Sequence, residues 1–379
     1  MEATELKKLV ALRHDLHRHP EVSCKEYETQ KRILAFLEGL GISHAQPVGS
    51  TGVWVKFEGK EAGKTVMLRG DTDALPIQEI NNFTHQSTQP GVSHKCGHDG
   101  HTTIMAGVAA QLLKNPPAKG TAILLFQPAE ENGHGARAVL DDTQFDIQPD
   151  VVFALHNLPG YPQRKIVIRE GSFTAAAKSI IIKLDGKTSH AAEPELGINP
   201  AAAIADLITM FQNASQPDLS RDDFALTTPV YIHMGEKSYG VSAGHGEVHY
   251  TLRTWHNDVM EKLCEQVAEA VERIAKQHKL KATISWTEEF FANQNHPDAV
   301  HMVTEAAKAN GLELETRPTP FKWGEDFGLF TEKFRGAMFG IGSGEDCPAL
   351  HNPDYDFPDA LIEPAVGMFT HLIQQALDE

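Results

Sequence analysis

Two stretches near the start of the chain, Glu5 to His19 and Lys25 to Leu40, place apolar residues at helical spacing, and Gly41 closes the second. Strand-length apolar runs follow at Val53 to Phe57, Thr65 to Leu68, Ala122 to Phe126, Val151 to Leu155 and Ala337 to Ile341. Their near-continuous apolar character is what a strand covered on both faces requires. Helical stretches at His101 to Lys114, Glu325 to Lys333 and Asp359 to Leu377 lie between or beside them. This alternation predicts an α/β fold with a mostly parallel sheet flanked by helices.

From about Phe173 the pattern changes. Ala176 to Leu184 alternates as a strand, Asn199 to Asn213 reads as a helix begun by Asn-Pro, and Leu226 to His233 and Glu247 to Trp255 read as strands. A long amphipathic helix, Asp258 to Lys279, precedes a last strand at Ala282 to Glu288. That β-α-β-β-α-β order is the ferredoxin-like split unit. The expected organisation is therefore a principal domain of residues 1–173 and 291–379, interrupted by an inserted α+β domain of residues 174–290.

The bulk numbers agree with this division, since 379 residues exceed what one growing hydrophobic core accommodates. A formal net charge of −17, spread along the chain, repels polyanions and argues against nucleic-acid and anionic-membrane partners. Residues Met1 to Lys8 are too polar for a secretory signal, and nowhere do eighteen apolar residues run together, so a soluble cytoplasmic protein is expected. Cys24, Cys96, Cys264 and Cys347 are too scattered for a disulfide framework.

Candidate chemistry gathers where strands end. Arg69-Gly70-Asp71-Thr72-Asp73, Gln127-Pro128-Ala129-Glu130-Glu131, His156-Asn157 and Leu350-His351-Asn352-Pro353 each follow a predicted strand. In an open parallel sheet the ligand crevice lies outside the carboxyl ends of the strands, so these groups are expected to converge. The stretch Ser93 to His101, SHKCGHDGH, precedes a helix and joins them from the side, with amides at the helix start favouring a thiolate at Cys96. His94 and His101 read as hydrogen-bonding members of that loop. Adjacent Glu130 and Glu131 point in different directions, which allows one to coordinate a cation and the other to accept a proton. Cys96, His98, Glu131, His156 and His351 form a borderline-soft set suited to zinc, manganese, cobalt or nickel. Five ligands exceed one tetrahedral ion, so two divalent cations are expected.

The stretches LRHDLHRHPEVSCKE, LRGDTDALP, HKCGHDGHTT, FQPAEENGHGA, ALHNLPG, GKTSHAAEP, WGEDF and LHNPDYDFPD, in this order over nearly the whole chain, resemble a known family. It is the N-acyl-amino-acid amidohydrolases, the hippurate and indoleacetyl-amino-acid hydrolase branch of the dinuclear-metal aminoacylases and carboxypeptidases. The resemblance implies a catalytic principal domain and an inserted lid and dimerisation domain forming a homodimer. It assigns Cys96, His98, Glu131, His156 and His351 as metal ligands and Glu130 as general base. His190 would reach a partner subunit's site and stabilise the oxyanion, and Arg253 would meet the substrate's carboxylate. Asp71, Asp73 and Asp326 would orient metal-bound imidazoles. The N-terminal His14, His17 and His19 belong to the signature, although packing of a polar helix face accounts for them equally. Two departures bear on specificity: Tyr239-Gly240-Val241-Ser242-Ala243 replaces a frequent Asn-Val-Ile-Pro run, and His134 stands where a small residue is common.

The activity implied is metal-assisted hydrolysis of an N-acyl amino acid or short peptide. A dipeptidase or carboxypeptidase is the rival within hydrolases, and a catalytically silent metal-containing peptide binder is the rival from another class. A thiol hydrolase built on Cys96 and His98 predicts activity that survives chelators and dies on alkylation.

Overall fold

The computed structural model describes residues 1–378, and the chain divides into two compact units. The first comprises Met1–Phe173, Asn293–Pro318 and the chain from Glu325; the second comprises Thr174–Ala292 and Thr319–Gly324. Helices α1 (Ala3–Arg18) and α2 (Tyr27–Gly39) precede strands β1 (Gln46–Val48), β2 (Gly52–Glu58) and β3 (Glu61–Asp71). Helix α3 (His98–Lys114), β4 (Lys119–Gln127), α4 (Gly135–Leu140), β5 (Val151–Pro159) and β6 (Ile166–Ile168) follow. The second unit contributes β7 (Ala176–Asp185), α5 (Ala201–Ala214), β8 (Ala225–Met234), β9 (His245–Thr254), α6 (Asn257–Gln277) and β10 (Lys281–Phe290). The first unit resumes with α7 (Pro297–Ala309), β11 (Leu314–Thr316), α8 (Gly328–Lys333), β12 (Gly336–Gly344) and α9 (Ile362–Asp378).

The first unit is an eight-stranded sheet in the order β1-β2-β4-β3-β5-β12-β6-β11. Its four consecutive central strands, β4, β3, β5 and β12, are mutually parallel, so their carboxyl ends share one edge. Strand β2 runs antiparallel to β4, and β6 antiparallel to β12. Alternation along β3 sends Val66 and Leu68 into a core with Leu9, Leu16, Ile104, Val108 and Phe369. Each such burial stabilises by roughly 1.5–3 kcal/mol. At the crossing of α3 with α1 and α9, a Cβ on Gly107 would stand 2.6 Å from Val366 and 3.0 Å from Leu9, so glycine sets that close approach.

The elements run further than the apolar runs that announce them. Strand β3 continues to Asp71 and β5 to Pro159, which puts Arg69, Asp71, His156 and Asn157 inside strands rather than in the loops after them. Helix α3 starts at His98 instead of His101, because Gly97 in the left-handed conformation (φ 92°) turns the chain into it. Helix α8 starts at Gly328, leaving Glu325 and Asp326 in the preceding turn. Strands β1, β6 and β11 have three residues each, too few for a periodicity to register.

The second unit orders its strands β8-β9-β7-β10, all antiparallel, with β-α-β-β-α-β connectivity, which is ferredoxin-like topology. Helices α5 and α6 cover one face through Leu207, Phe211, Val267 and Val271 on Ile180, Ile182, Val248 and Leu252. Strand β8 is an edge, and its Val230, Tyr231, Ile232 and Met234 are exposed. Residues Thr319–Gly324 join this unit through the Ala175 amide, which donates to the Phe321 carbonyl at 2.9 Å. No helix among the described residues is long and apolar enough to cross a membrane.

Candidate metal centre

The shared carboxyl edge of β4, β3, β5 and β12 collects the polar groups of the first unit. Beyond β4, Ala129 takes a left-handed conformation (φ 53°), which bends the chain so that Glu130 and Glu131 return over the sheet. The buried Glu26 carboxylate holds this bend by accepting the Ala129 amide at 2.8 Å, while Thr51 Oγ1 donates to its other oxygen at 2.7 Å. Glu131 donates its own amide to Asp73 Oδ2 at 3.0 Å. His351, also left-handed (φ 65°), is fixed by its amide on the Lys95 carbonyl at 2.8 Å.

Six side chains from four segments meet here. Ligand-capable atoms of Cys96, His98 and His156 lie within 4.8 Å of one another, as do those of Cys96, Glu131 and His351, and those of His98, Glu130 and Glu131. Cys96 Sγ stands 3.5 Å from His156 Nε2, and Glu131 stands 3.8 Å from His98 Nε2 and 3.6 Å from His351 Nε2. The imidazoles are aimed by their other nitrogens. His98 Nδ1 lies 3.2 Å from Asp73 Oδ1 and 3.1 Å from the Asp73 carbonyl, and His156 Nδ1 lies 2.8 Å from the Asn157 carbonyl.

The donor set fits cations. His98 Nε2 and Glu131 Oε1 are buried with no hydrogen-bond partner, a costly arrangement unless something else occupies them. Burial and the nearby Glu131, Glu130 and Asp71 carboxylates push the Cys96 thiol well up. Desolvation and anionic neighbours thus act against the thiolate expected from the partial charge at the start of α3. Burial raises the Glu131 carboxyl to about 8, against the opposing His98 charge. Burial followed by Glu325 and Glu131 raises Glu130 well above the usual range. Burial would lower His98, but Asp71 and Asp73 lift it to about 10. His156 and His351 are both lowered by burial and are neutral imidazoles at pH 7. A cation held here would displace the protons on Cys96, Glu131 and His98.

The remaining groups divide differently from the expectation. Asp73 bonds His98, whereas Asp71 Oδ1 takes His101 Nδ1 at 2.6 Å and its Oδ2 takes Arg69 Nη1 at 2.6 Å. Asp326 is turned toward Arg69 Nη2 (2.7 Å), Gln127 Nε2 (2.9 Å) and the Ala136 amide (2.8 Å) rather than toward an imidazole. Arg69 is the hub, since its guanidinium also meets Glu325 and its fixed fork matches several carboxylates at once. His94 is buried with neither ring nitrogen bonded within the chain, contrary to its reading as a loop hydrogen-bonder, and burial lowers it to about 4. His101 bonds Asp71 on one side and receives the Asn157 amide at 3.3 Å on the other.

In the second unit, His190 is exposed on a two-residue ladder that pairs it with Val241, and its Nδ1 accepts the Ala192 amide at 3.0 Å. Arg253 on β9 donates from Nη1 to the Lys322 carbonyl at 2.7 Å.

The sequence gives no role to Glu26, Arg69 or Lys95, and only Arg69, directly after the apolar run Thr65 to Leu68, carries a signal, because an arginine at the end of a buried strand requires a partner.

A family described as peptidase family M20/M25/M40 matches residues 67–375. The chain is 32% identical to the N-acetylcysteine deacetylase of Bacillus subtilis over 96% of both chains. It is 30% identical to the N-acetyldiaminopimelate deacetylase of Bacillus velezensis, over 97% of this chain and 99% of that one. Among solved structures it resembles the YxeP protein of Bacillus subtilis, described as a dinuclear metal binding peptidase of the M20 family. That likeness has a TM-score of 0.85 and 30% identity, covering 100% of this chain and 99% of the other.

Proposed function

Because the chain belongs to peptidase family M20/M25/M40 and several of the curated relatives it resembles are named deacetylases, we propose that this hydrolase cleaves the amide bond of N-acyl amino acids in the cytoplasm. Cys96, His98, Glu131, His156 and His351 would hold two divalent cations, zinc or manganese foremost, with Glu130 as general base. The observation that carries the reading is the clustering of Cys96 and His351, 255 positions apart in sequence, around one carboxylate, Glu131.

Cations held by Cys96, His98, Glu131, His156 and His351 would supply Lewis acidity toward the scissile carbonyl and an attacking water. Glu130, beside Glu131 and buried, would take the proton of the attacking water and deliver it to the departing amine nitrogen. His190 donates from Nε2 to the developing oxyanion in the site of a second copy. With Nδ1 accepting the Ala192 amide, the neutral ring carries its proton on Nε2, as that role requires. Arg253 meets the substrate carboxylate, and Asp73 keeps His98 in its ligating orientation. The second unit serves as lid and dimerisation surface, with β8, an apolar exposed edge, pairing between copies. Burial of Cys96 among Glu131, Glu130 and Asp71, which raises its thiol, weighs against a thiol hydrolase.

The test is a panel of N-acetyl amino acids, N-benzoyl amino acids and free dipeptides, assayed before chelation, after it, and after return of zinc or manganese. Hydrolysis of N-acyl substrates that disappears on chelation and returns with metal supports the reading. Faster cleavage of dipeptides makes the protein a dipeptidase, and inertness of the fully metallated protein makes it a binder.

A further inference from the structure

A second buried polar cluster lies beside the cage and contains none of its ligands. Lys95, the residue before Cys96, is fully buried, and its ammonium donates to Glu79 Oε1 (2.5 Å), Asn81 Oδ1 (3.2 Å) and the Tyr355 carbonyl (2.8 Å). All three of its protons are thereby used. Asp99, the residue after His98, is also fully buried, and its Oδ2 meets His17 Nδ1 at 2.8 Å and Arg13 Nη1 at 3.5 Å. The other nitrogen of His17, Nε2, lies 2.9 Å from Glu79 Oε1. One imidazole on α1 therefore joins Asp99, the residue after His98, to Glu79, the acid that holds Lys95 before Cys96.

The cluster also reaches the other ligand-bearing segments. Lys95 accepts the His351 amide on its carbonyl and grips the Tyr355 carbonyl with its ammonium, so it spans the segment from His351 to Tyr355. Tyr355 Oη accepts Asn157 Nδ2 at 2.6 Å, next to His156. Arg13 ties the same segment to α1 through Asp356 (2.6 Å) and Asp359 (2.8 Å). Buried ion pairs of this kind are costly to desolvate, and replacing the whole set with apolar side chains often stabilises a fold. Removing one partner is costly, but stability gives little reason to keep the whole set in place of an apolar one, whereas fixing three ligand segments in register gives such a reason.

We propose that His17 and Lys95 are positioning residues of the metal centre: through Asp99, Glu79 and Tyr355 they hold the segments bearing Cys96, His98, His156 and His351 at ligating distance. This assigns a role to the N-terminal histidine signature, of which His17 alone enters the cluster with both nitrogens. The inference rests on the metal-binding part of the proposed function and not on the substrate.

The test uses the full chain loaded with cobalt(II), whose thiolate absorption reports the geometry at Cys96, together with competition against a chelator. Lys95→Met and His17→Gln are expected to bind cobalt roughly 10- to 100-fold more weakly and to shift or weaken the thiolate band, while Lys95→Arg recovers part of both. Tyr355→Phe leaves every buried charge paired and is the variant to read if the others do not fold; a smaller loss in the same direction is expected. Wild-type affinity and an unaltered spectrum in Lys95→Met, or in Tyr355→Phe where the others fail to fold, overturn the positioning role and leave the metal centre standing. A wild-type protein that binds no cobalt overturns the metal reading itself, and the positioning role with it.

Discussion

At the scale of single residues, the account depends on Glu130 and Glu131 having different jobs although they are neighbours. Glu131 lies within 4 Å of two imidazoles, His98 and His351, while Glu130 shares its surroundings with Glu325 and Asp326. Glu130→Gln is therefore expected to keep its full metal content and slow turnover about 100- to 10,000-fold, the range for a lost acid-base group. Turnover near that of the wild type removes Glu130 from the mechanism. Gly97 carries a different constraint. Its φ of 92° suits glycine, and a Cβ there would stand 2.4 Å from Asn157 Oδ1, whose amide is already pinned to Tyr355. Gly97→Ala is expected to destabilise the metal-free protein by about 1–2 kcal/mol from the left-handed backbone alone and to weaken metal binding further. Unchanged unfolding and unchanged chelator competition would contradict both constraints.

At the scale of elements, the best-predicted parts are those that cross the core. The runs TVML, AILLF, VVFAL and AMFGI mark the four parallel strands because burial on both faces leaves no polar alternation to confuse them. The start of α3 was harder to read, since His98 and Asp99 are polar yet buried, and polarity in a sequence normally marks a loop. The partners of Lys95 and Asp99 were not legible at all: they come from α1 and from Glu79, and a pairing over that separation leaves no periodic trace. The junction of α1 with the segment bearing Cys96 should also respond to pH. Burial would lower the His17 pKa, but Asp99 and Glu79 raise it to about 9. A pKa raised on folding contributes stability that is complete below the unfolded value near 6.5 and is lost as pH rises through 9. Denaturant unfolding is expected to show the wild type ahead of His17→Gln by roughly 3 kcal/mol at pH 6, with the gap closing by pH 10. A gap that stays constant over that range would mean His17 is not held as a cation.

At the scale of the whole molecule, the sequence revealed the inserted α+β order and the convergence of strand ends, because both follow from patterning and topology. Assembly leaves a weaker trace. Burial along β8 falls away after Thr227, and the strand then exposes Val230, Ile232 and Met234 on an unpaired edge, which is an invitation to pairing. If the edge joins two copies, replacing Ile232 with Asp is expected to convert a dimer to a monomer in light scattering while leaving the metal content unchanged. Because His190 is proposed to act in the other copy's site, that monomer should also lose most of its turnover. A wild type that is already monomeric and active would refute this arrangement.

The central claim is that four separated segments of one chain build a cage for two divalent cations. Anomalous scattering from crystals of the metal-loaded protein tests it most directly. The account predicts two peaks bounded by Cys96, His98, Glu131, His156 and His351, with ligand distances of about 2.0–2.3 Å for zinc. Absence of any peak among these five side chains, or metal bound only elsewhere, would contradict it.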